Sequence, residues 1–409
     1  MSIVPYPAVS AAFAKQRSLV SPVALIVLTV AILFARRPDQ FVQPYVWIED
    51  GFQTLRAFLE GGARILYQPS NGYLITASKL ISYIAFVTSI RWAPEIEAVL
   101  AVVCTCAVTA AIAFAPTNLR WPFLCALAAL FVPTGAELFA VSAYSCWWTG
   151  LLLLLALLWN ADRGLLTLRV AFILIGGLSC PLIISLSPLF AVRAALVRRR
   201  DEYVAMGFVA LAAAAQVYAL HTQSFSDVVG GGFNPLVVWV AARRFVGGFV
   251  QLDALGPFIL VVLTLVVWLL RNRLDKYFYF LVTAYVIVCA SVVLRMPLDW
   301  FLRMDASGEG VRYFFYPFVL LMWLLFWLAH EEEGLTRWSI MAVVTTSIML
   351  GLPHMRWRHD FIDWRSQLRE CVSSDRYEIP IHYLGSAQDV WLAKFTGEEC
   401  KALLAKSFF

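Results

Sequence analysis

Long apolar runs separated by short polar breaks dominate the chain. They fall at 19–35, 73–90, 97–115, 121–133, 144–160, 164–178, 181–197, 203–220, 254–270, 277–295, 313–330 and 336–352. Most approach the ~20 residues a helix needs to cross a bilayer core. They lack the apolar–polar alternation of an outer-membrane barrel strand. The pattern predicts an all-α polytopic membrane protein: residues 1–352 form a transmembrane domain and 353–409 a small C-terminal segment. Gly176-Gly177 and Pro181 interrupt 164–197, so that stretch reads as two helices or as one kinked helix.

Composition sharpens the class. Of 409 residues, 61% are hydrophobic and 14% charged, against about 25% charged in a soluble domain. A soluble globular enzyme and a disordered scaffold are excluded. The last 57 residues hold eight Lys/Arg and eight Asp/Glu, so the net charge of +5 arises in residues 1–352. In a membrane protein a basic excess marks cytoplasmic loops, and nucleic acid is not an expected partner. The first run ends Leu33-Phe34-Ala35-Arg36-Arg37 without a small-x-small cleavage site, so it reads as a retained anchor.

Basic clusters set the direction. Arg198-Arg199-Arg200 and Arg271/Arg273/Lys276 belong on the cytoplasmic side. Counting outward from them puts 36–96, 134–143, 221–253, 296–312 and the tail on the outer face. An N-terminus with Lys15 and Arg17 inside then requires one run not to cross. The weakest is 73–90, with Lys79 and several Ser/Thr, which reads as a juxtamembrane or re-entrant helix in the first outer loop, 36–96. About eleven transmembrane helices remain, with the N-terminus inside and the C-terminus outside. The alternative makes 164–197 one span, lets 73–90 cross and moves Glu137 to the cytoplasm.

Candidate chemistry gathers in the outer loops. The first reads Tyr45-Val46-Trp47-Ile48-Glu49-Asp50-Gly51, then Tyr67-Gln68-Pro69-Ser70-Asn71-Gly72-Tyr73. Adjacent carboxylates among aromatics suit a general base, because partial burial and like charge raise one pKa. A solvated acidic turn or a helix cap is the plainer explanation. Glu137, in Pro133-Thr134-Gly135-Ala136-Glu137, is a carboxylate between apolar runs and so a functional candidate. Trp147 and Trp148 follow it, equally suited to an interfacial belt. Arg312-Tyr313 opens a late span, where a guanidinium can clamp a phosphate or snorkel to the interface. Asp299 precedes it, with Arg303 and Asp305 as possible ion partners. Arg243 and Arg244, in an apolar outer segment 235–252, are candidates for a bound anion or a lipid headgroup.

No phosphate loop, dinucleotide glycine fingerprint, His-Glu-x-x-His or zinc-spaced Cys/His cluster occurs. No cofactor is expected, although a divalent metal is not excluded, and His354, His359 and His382 are too scattered to argue for one. Six of the eight cysteines sit in apolar runs. Cys371 and Cys400 lie in the polar tail, and an oxidising outer compartment would let them form a disulfide.

Taken together, three features resemble the GT-C superfamily of integral-membrane glycosyltransferases. They are a first span followed by a long outer loop with Glu49-Asp50, Gly135-Ala136-Glu137 ahead of Trp147, and Arg312-Tyr313 opening a late span. The tail segment Tyr377-Glu378-Ile379-Pro380-Ile381 resembles the short outer-face tail of bacterial relatives. The resemblance implies a sugar moved from a polyprenyl-phosphate donor to a lipid-linked or cell-envelope glycan acceptor. It implies Asp50 or Glu49 as the base, with the choice open, and Arg312 on the departing phosphate. It also implies Glu137 orienting a sugar, and Trp47, Tyr73 and Tyr313 stacking on sugar or prenyl chain. Two other readings compete: a lipid or polysaccharide transporter or flippase, which needs broken helices near the midplane, and a membrane acyltransferase, which needs a histidine in an apolar setting.

Overall fold

The structure is a computed structural model that describes residues 21–222, 235–382, 386 and 390–408. Lys15 and Arg17, which carry the expected N-terminal placement, lie outside the described residues. So does part of the outer loop 221–253.

The chain starts with α1 (Pro22–Arg36), whose N-cap Ser21 accepts from the Val23 amide, and a short α2 (Pro38–Val42). The first loop then carries α3 (Leu55–Gly61) and α4 (Thr76–Thr88) before the long α5 (Ala93–Phe114). Next come α6 (Pro122–Leu130), α7 (Ser145–Leu157), α8 (Leu166–Ser179), α9 (Leu182–Val197) and α10 (Arg200–Thr222). The third stretch holds α11 (Pro235–Ala241), α12 (Gly256–Leu270), α13 (Lys276–Arg295), α14 (Leu298–Arg303), α15 (Arg312–Glu331) and α16 (Gly334–Gly351). In the tail, α17 (Trp364–Ser373) and α18 (Gly397–Ala405) flank an antiparallel pair, β1 (Tyr377–His382) and β2 (Val390–Phe395). That hairpin corrects the all-helical expectation: Tyr377–Ile381 is a β-branched, half-buried stretch that pairs with Val390–Phe395 and has no helical apolar stripe.

Among the described residues six helices are long and apolar enough to cross a membrane, and four shorter apolar helices accompany them. This is a mostly helical membrane protein. Helix α15 runs through the middle, buried on nearly all sides, and is correspondingly apolar around its whole circumference. Helix α12 buries almost nothing, so its apolar surface is perimeter.

The loops sort into two layers. In one, the Trp357 amide donates to Arg36 O, Trp364 Nε1 donates to Ile90 O, and the Gly135 amide donates to Ala306 O. Arg312 reaches Glu137 and Arg244 reaches Leu302 O across the same layer. In the other layer, Arg120 pairs with Glu331 at 3.3 Å, Arg199 with Asp162, and Arg273 with Glu332. Both ends of α4 touch the first layer: Thr76 donates to Leu178 O near one end, and Val87 O accepts the Phe408 amide near the other. The stretch 164–197 forms two antiparallel helices, because Arg169 on α8 and Arg193 on α9 meet at Glu202. The turn between them, at Cys180, lies against Tyr316 in the first layer.

Arg36 and Arg37 look out of place in that layer if basic residues mark the cytoplasm. The fold explains them as internal struts. Arg36 donates to the carbonyls of Leu130, Val132, Thr134 and Gly135 and stacks over Phe139. Arg37 donates to Ala136 O and pairs with Asp39. The segment leading to Glu137, which has no helix of its own, takes its shape from these two guanidinium groups.

Candidate functional site

Asp50 opens a wide helical turn, Asp50–Thr54, of the i→i+5 kind that often marks functional positions. Strand β1 presses on this turn: a Cβ at position 51 would have to displace the end of the Ile381 side chain. The turn directs Asp50 inward, where it is 2% exposed. Oδ1 accepts from Ser82 Oγ on α4 at 3.0 Å, while Oδ2 accepts from Ser142 Oγ and from the Ala143 amide at 3.0 Å. Burial pushes the carboxyl up to about 7; the Ser142 and Ser82 bonds oppose this and the Glu49 charge adds to it. Asp50 therefore titrates in the range where a base is useful.

Glu49 turns the other way. Its Oε2 is buried without a hydrogen-bond partner, and its nearest opposite charge is Arg312. Burial raises its pKa, with Arg312 pulling the opposite way. Arg312, at the start of α15, donates through Nη1 to Glu137 Oε1 at 2.7 Å and to Tyr144 OH at 3.1 Å. Tyr144 OH donates to the same Glu137 oxygen at 2.6 Å, and Trp47 Nε1 donates to Tyr144 OH at 3.1 Å. Residues from three distant segments, Trp47, Glu137–Tyr144 and Arg312, thus share one network. Its cation keeps 29% of its side chain exposed, so it can meet an anion without unfolding anything.

An aromatic strip continues from this network. Trp147 stacks on Tyr316 at 5.1 Å and meets Tyr313 edge-on at 5.8 Å, and Trp300 meets the other side of Tyr313 at 5.8 Å. Tyr73 lies under Arg295 at 4.3 Å. Arg295, at the last turn of α13, is a cation of this strip that sequence reasoning passed over.

Other sequence candidates have different surroundings. Arg244 is engaged with Asp253 at 2.8 Å and Leu302 O at 2.6 Å, tying two loops together, while Arg243 is exposed. Asp299 is exposed on α14 and pairs with Arg303 at 3.7 Å, a solvated surface pair. Asn71 and Gly72 take φ of +49° and +79° in a tight turn closed by Ser70 and Tyr73, so the Asn-Gly pair is there for backbone geometry. Cys371 and Cys400 form a disulfide between α17 and α18.

The structure also assembles residues with no local sequence signal. Glu97 on α5 lies buried beside Asp50, with Ser82 between them. His359 and His382 meet at 5.2 Å in a box with Tyr45, Trp47 and Trp357. His359 Nδ1 lies 3.1 Å from Asp39 Oδ2. Burial holds His382 down at about 4 and lowers His359 too, with Asp39 pulling His359 the opposite way. Among the described residues no group of three or more His, Cys, Asp or Glu side chains is placed to hold a metal ion.

Set against protein-family models, curated proteins and solved structures, the chain matches none. The functional reading rests on the site itself.

Proposed function

We propose that the chain is a membrane glycosyltransferase of the GT-C type. It moves a sugar from a polyprenyl-phosphate donor to a lipid-linked or cell-envelope glycan acceptor at the outer face of a bacterial inner membrane. The proposed topology has eleven crossings, with α4 as a juxtamembrane helix and the tail in the periplasm. The observation that carries the reading is the pairing of a buried, donor-rich carboxyl, Asp50, with a part-exposed guanidinium, Arg312, in one loop layer flanked by Trp147, Tyr313 and Tyr316.

In this proposal Asp50 accepts the proton of the acceptor hydroxyl as that oxygen attacks the anomeric carbon. The glycosyl–phosphate bond breaks, and Arg312 leaves Glu137 to hold the departing phosphate, where negative charge develops. Glu137 and Glu49 then offer carboxylate oxygens to sugar hydroxyls. The aromatic strip supplies flat apolar surface for the sugar ring and the prenyl chain. Between the two acids, Asp50 is preferred as base because its titration lies near neutrality and three donors fix its orientation.

The other readings find less support. A transporter would want its broken segment halfway across the bundle, and the break at Cys180 is a hairpin turn in a loop layer. An acyltransferase would want a reachable histidine, and the His359–Asp39 pair is closed in by rings.

The test is transfer by the purified chain in lipid, using labelled polyprenyl-phosphate hexose and a membrane-lipid extract as acceptor. Asp50→Asn should lower transfer by about 10²–10⁴-fold, the usual worth of a positioned base. It should fold, because an asparagine oxygen can face Ser142 and Ala143 while its amide donates to Ser82. Undiminished transfer in that variant contradicts the assignment.

A further inference from the structure

The tail meets the first loop at a junction that the mechanism above does not use. His382, the last residue of β1, forms a lone parallel backbone bridge with Trp47, and Ile381 before it packs against Gly51 of the Asp50 turn. The imidazole is fully buried, and neither ring nitrogen has a hydrogen-bond partner. Its walls are rings. Tyr45 stands at 4.5 Å and His359 at 5.2 Å, and Trp47 and Trp357 close around His359 at 5.6 Å and 6.4 Å. The charges of this box are already committed to one another. Arg37 donates to both oxygens of Asp39, at 3.3 Å and 3.2 Å. Asp39 Oδ2 also accepts from Tyr45 OH at 3.0 Å and faces His359 Nδ1 at 3.1 Å. Asp360, the other acid near the two histidines, is exposed. A proton on His382 would therefore add a cation to a sealed box whose one buried carboxylate already serves Arg37, which burial penalises. His359 differs, because Asp39 stands beside its ring to pair with a proton there.

We propose that His382 is an acid-sensitive latch: protonation of its imidazole detaches the end of β1 from Trp47 and frees the turn that carries Asp50. In the docked tail, burial and then His359 hold His382 down at about 4, while the Asp360 backbone and the charges of Asp360 and Asp39 pull less strongly the other way. An exposed histidine titrates near 6.5, so the docked junction binds fewer protons than the open one. Docking is at full strength above about pH 6.5 and weakens as pH falls from there toward about 4, by up to tenfold per pH unit. The opening is local. Arg56 pairs with Glu399 of the capped helix α18 at 2.5 Å, and the Thr396 backbone and Arg56 hold Glu399 below the ordinary carboxylate range. That tie outlasts the histidine as the pH drops. The opening itself does not depend on the chain being a transferase.

Hydrogen exchange read by mass spectrometry on the full chain in lipid, corrected for the intrinsic exchange rate at each pH, measures the opening directly. Between about pH 7 and about pH 5 the opening constant of amides in 45–51 and 377–382 should rise about 20-fold. Amides in 398–405 should hold steady. His382→Phe keeps a flat ring in the box and removes the titrating group, so its opening should be the same at both pH values. If that variant fails to fold, His382→Leu gives the same readout. A wild-type junction whose opening does not change with pH overturns the proposal. So does an equal rise in 398–405, which would be a general loosening of the tail, or a rise that persists in the variant, which would place the proton elsewhere.

Discussion

Two buried clusters of charge stand at opposite ends of the helix bundle, built on opposite rules. In the first, Glu202 on α10 lies between Arg169 at 2.8 Å and Arg193 at 2.6 Å, all three essentially without exposure. Further guanidinium donors reach Ala156 O, Leu157 O and Trp159 O, carbonyls at and just past the end of α7, while Arg169 Nη1 is buried without a partner. Cations suit that position, where the helix dipole is negative and carbonyls have no partner within the helix. This cluster welds α7, α8, α9 and α10 together. In the second, Glu137 pairs with Arg312, while Asp50, Glu49 and Glu97 have no ion-pair partner among the described residues, and two of these acids keep an oxygen unbonded. An anion shared by two cations holds helices in place; acids without a cation have capacity left for a ligand. The contrast points to the loop layer as the seat of chemistry.

That contrast breaks cleanly if it is real. Asp50→Asn should cost transfer by about 10²–10⁴-fold with the melting midpoint unchanged. Glu202→Gln should do the reverse: removing the shared anion strands two buried cations and destabilises the bundle by about 3–5 kcal/mol. Its thermal midpoint in detergent should fall, while transfer per folded molecule stays near normal. A stable Glu202→Gln protein would mean that the first cluster does not weld the bundle.

A smaller effect belongs to the tail. The Cys371–Cys400 bond closes a loop of 29 residues, and a loop of roughly that size contributes about 3–4 kcal/mol through the unfolded state. Because Ile381 presses on Gly51 and His382 packs beside Trp47, the tail supports the turn that carries Asp50. Cys371→Ser should raise protease sensitivity within 364–408 and leave the midpoint of the bundle in place. Loss of the whole bundle at a lower temperature would show instead that tail and bundle unfold as one unit.

Sequence made the framework legible and left the partners hidden. Apolar runs showed the class; the counting of basic loops gave 73–90 as the run that need not cross, which belongs to the proposed topology. Glu49-Asp50 and Glu137 stood out because a carboxylate near an apolar run is costly. Glu97 did not, since an acid at the start of a span, two residues after Glu95, looks like an ordinary boundary residue. Ser82 and Ser142 have no distinguishing mark, and their role exists only because α4 and the loop before α7 meet over Asp50. The same holds for His359 and His382, scattered in the chain and joined by the fold of the tail onto Tyr45 and Trp47. Arg244 illustrates the converse: its position against the charge bias suggested a ligand, and Asp253 and Leu302 O take up its donors.

The most direct test of the account is the pH profile of transfer by the wild-type chain at limiting donor. Asp50 is raised to about 7 by burial, so it is protonated and idle below that pH and ionised above it. The account predicts a rate that climbs about tenfold per pH unit below pH ~7 and levels off above it. A rate flat from about pH 5 to about pH 8, or one that falls as pH rises through that range, would contradict Asp50 as the base.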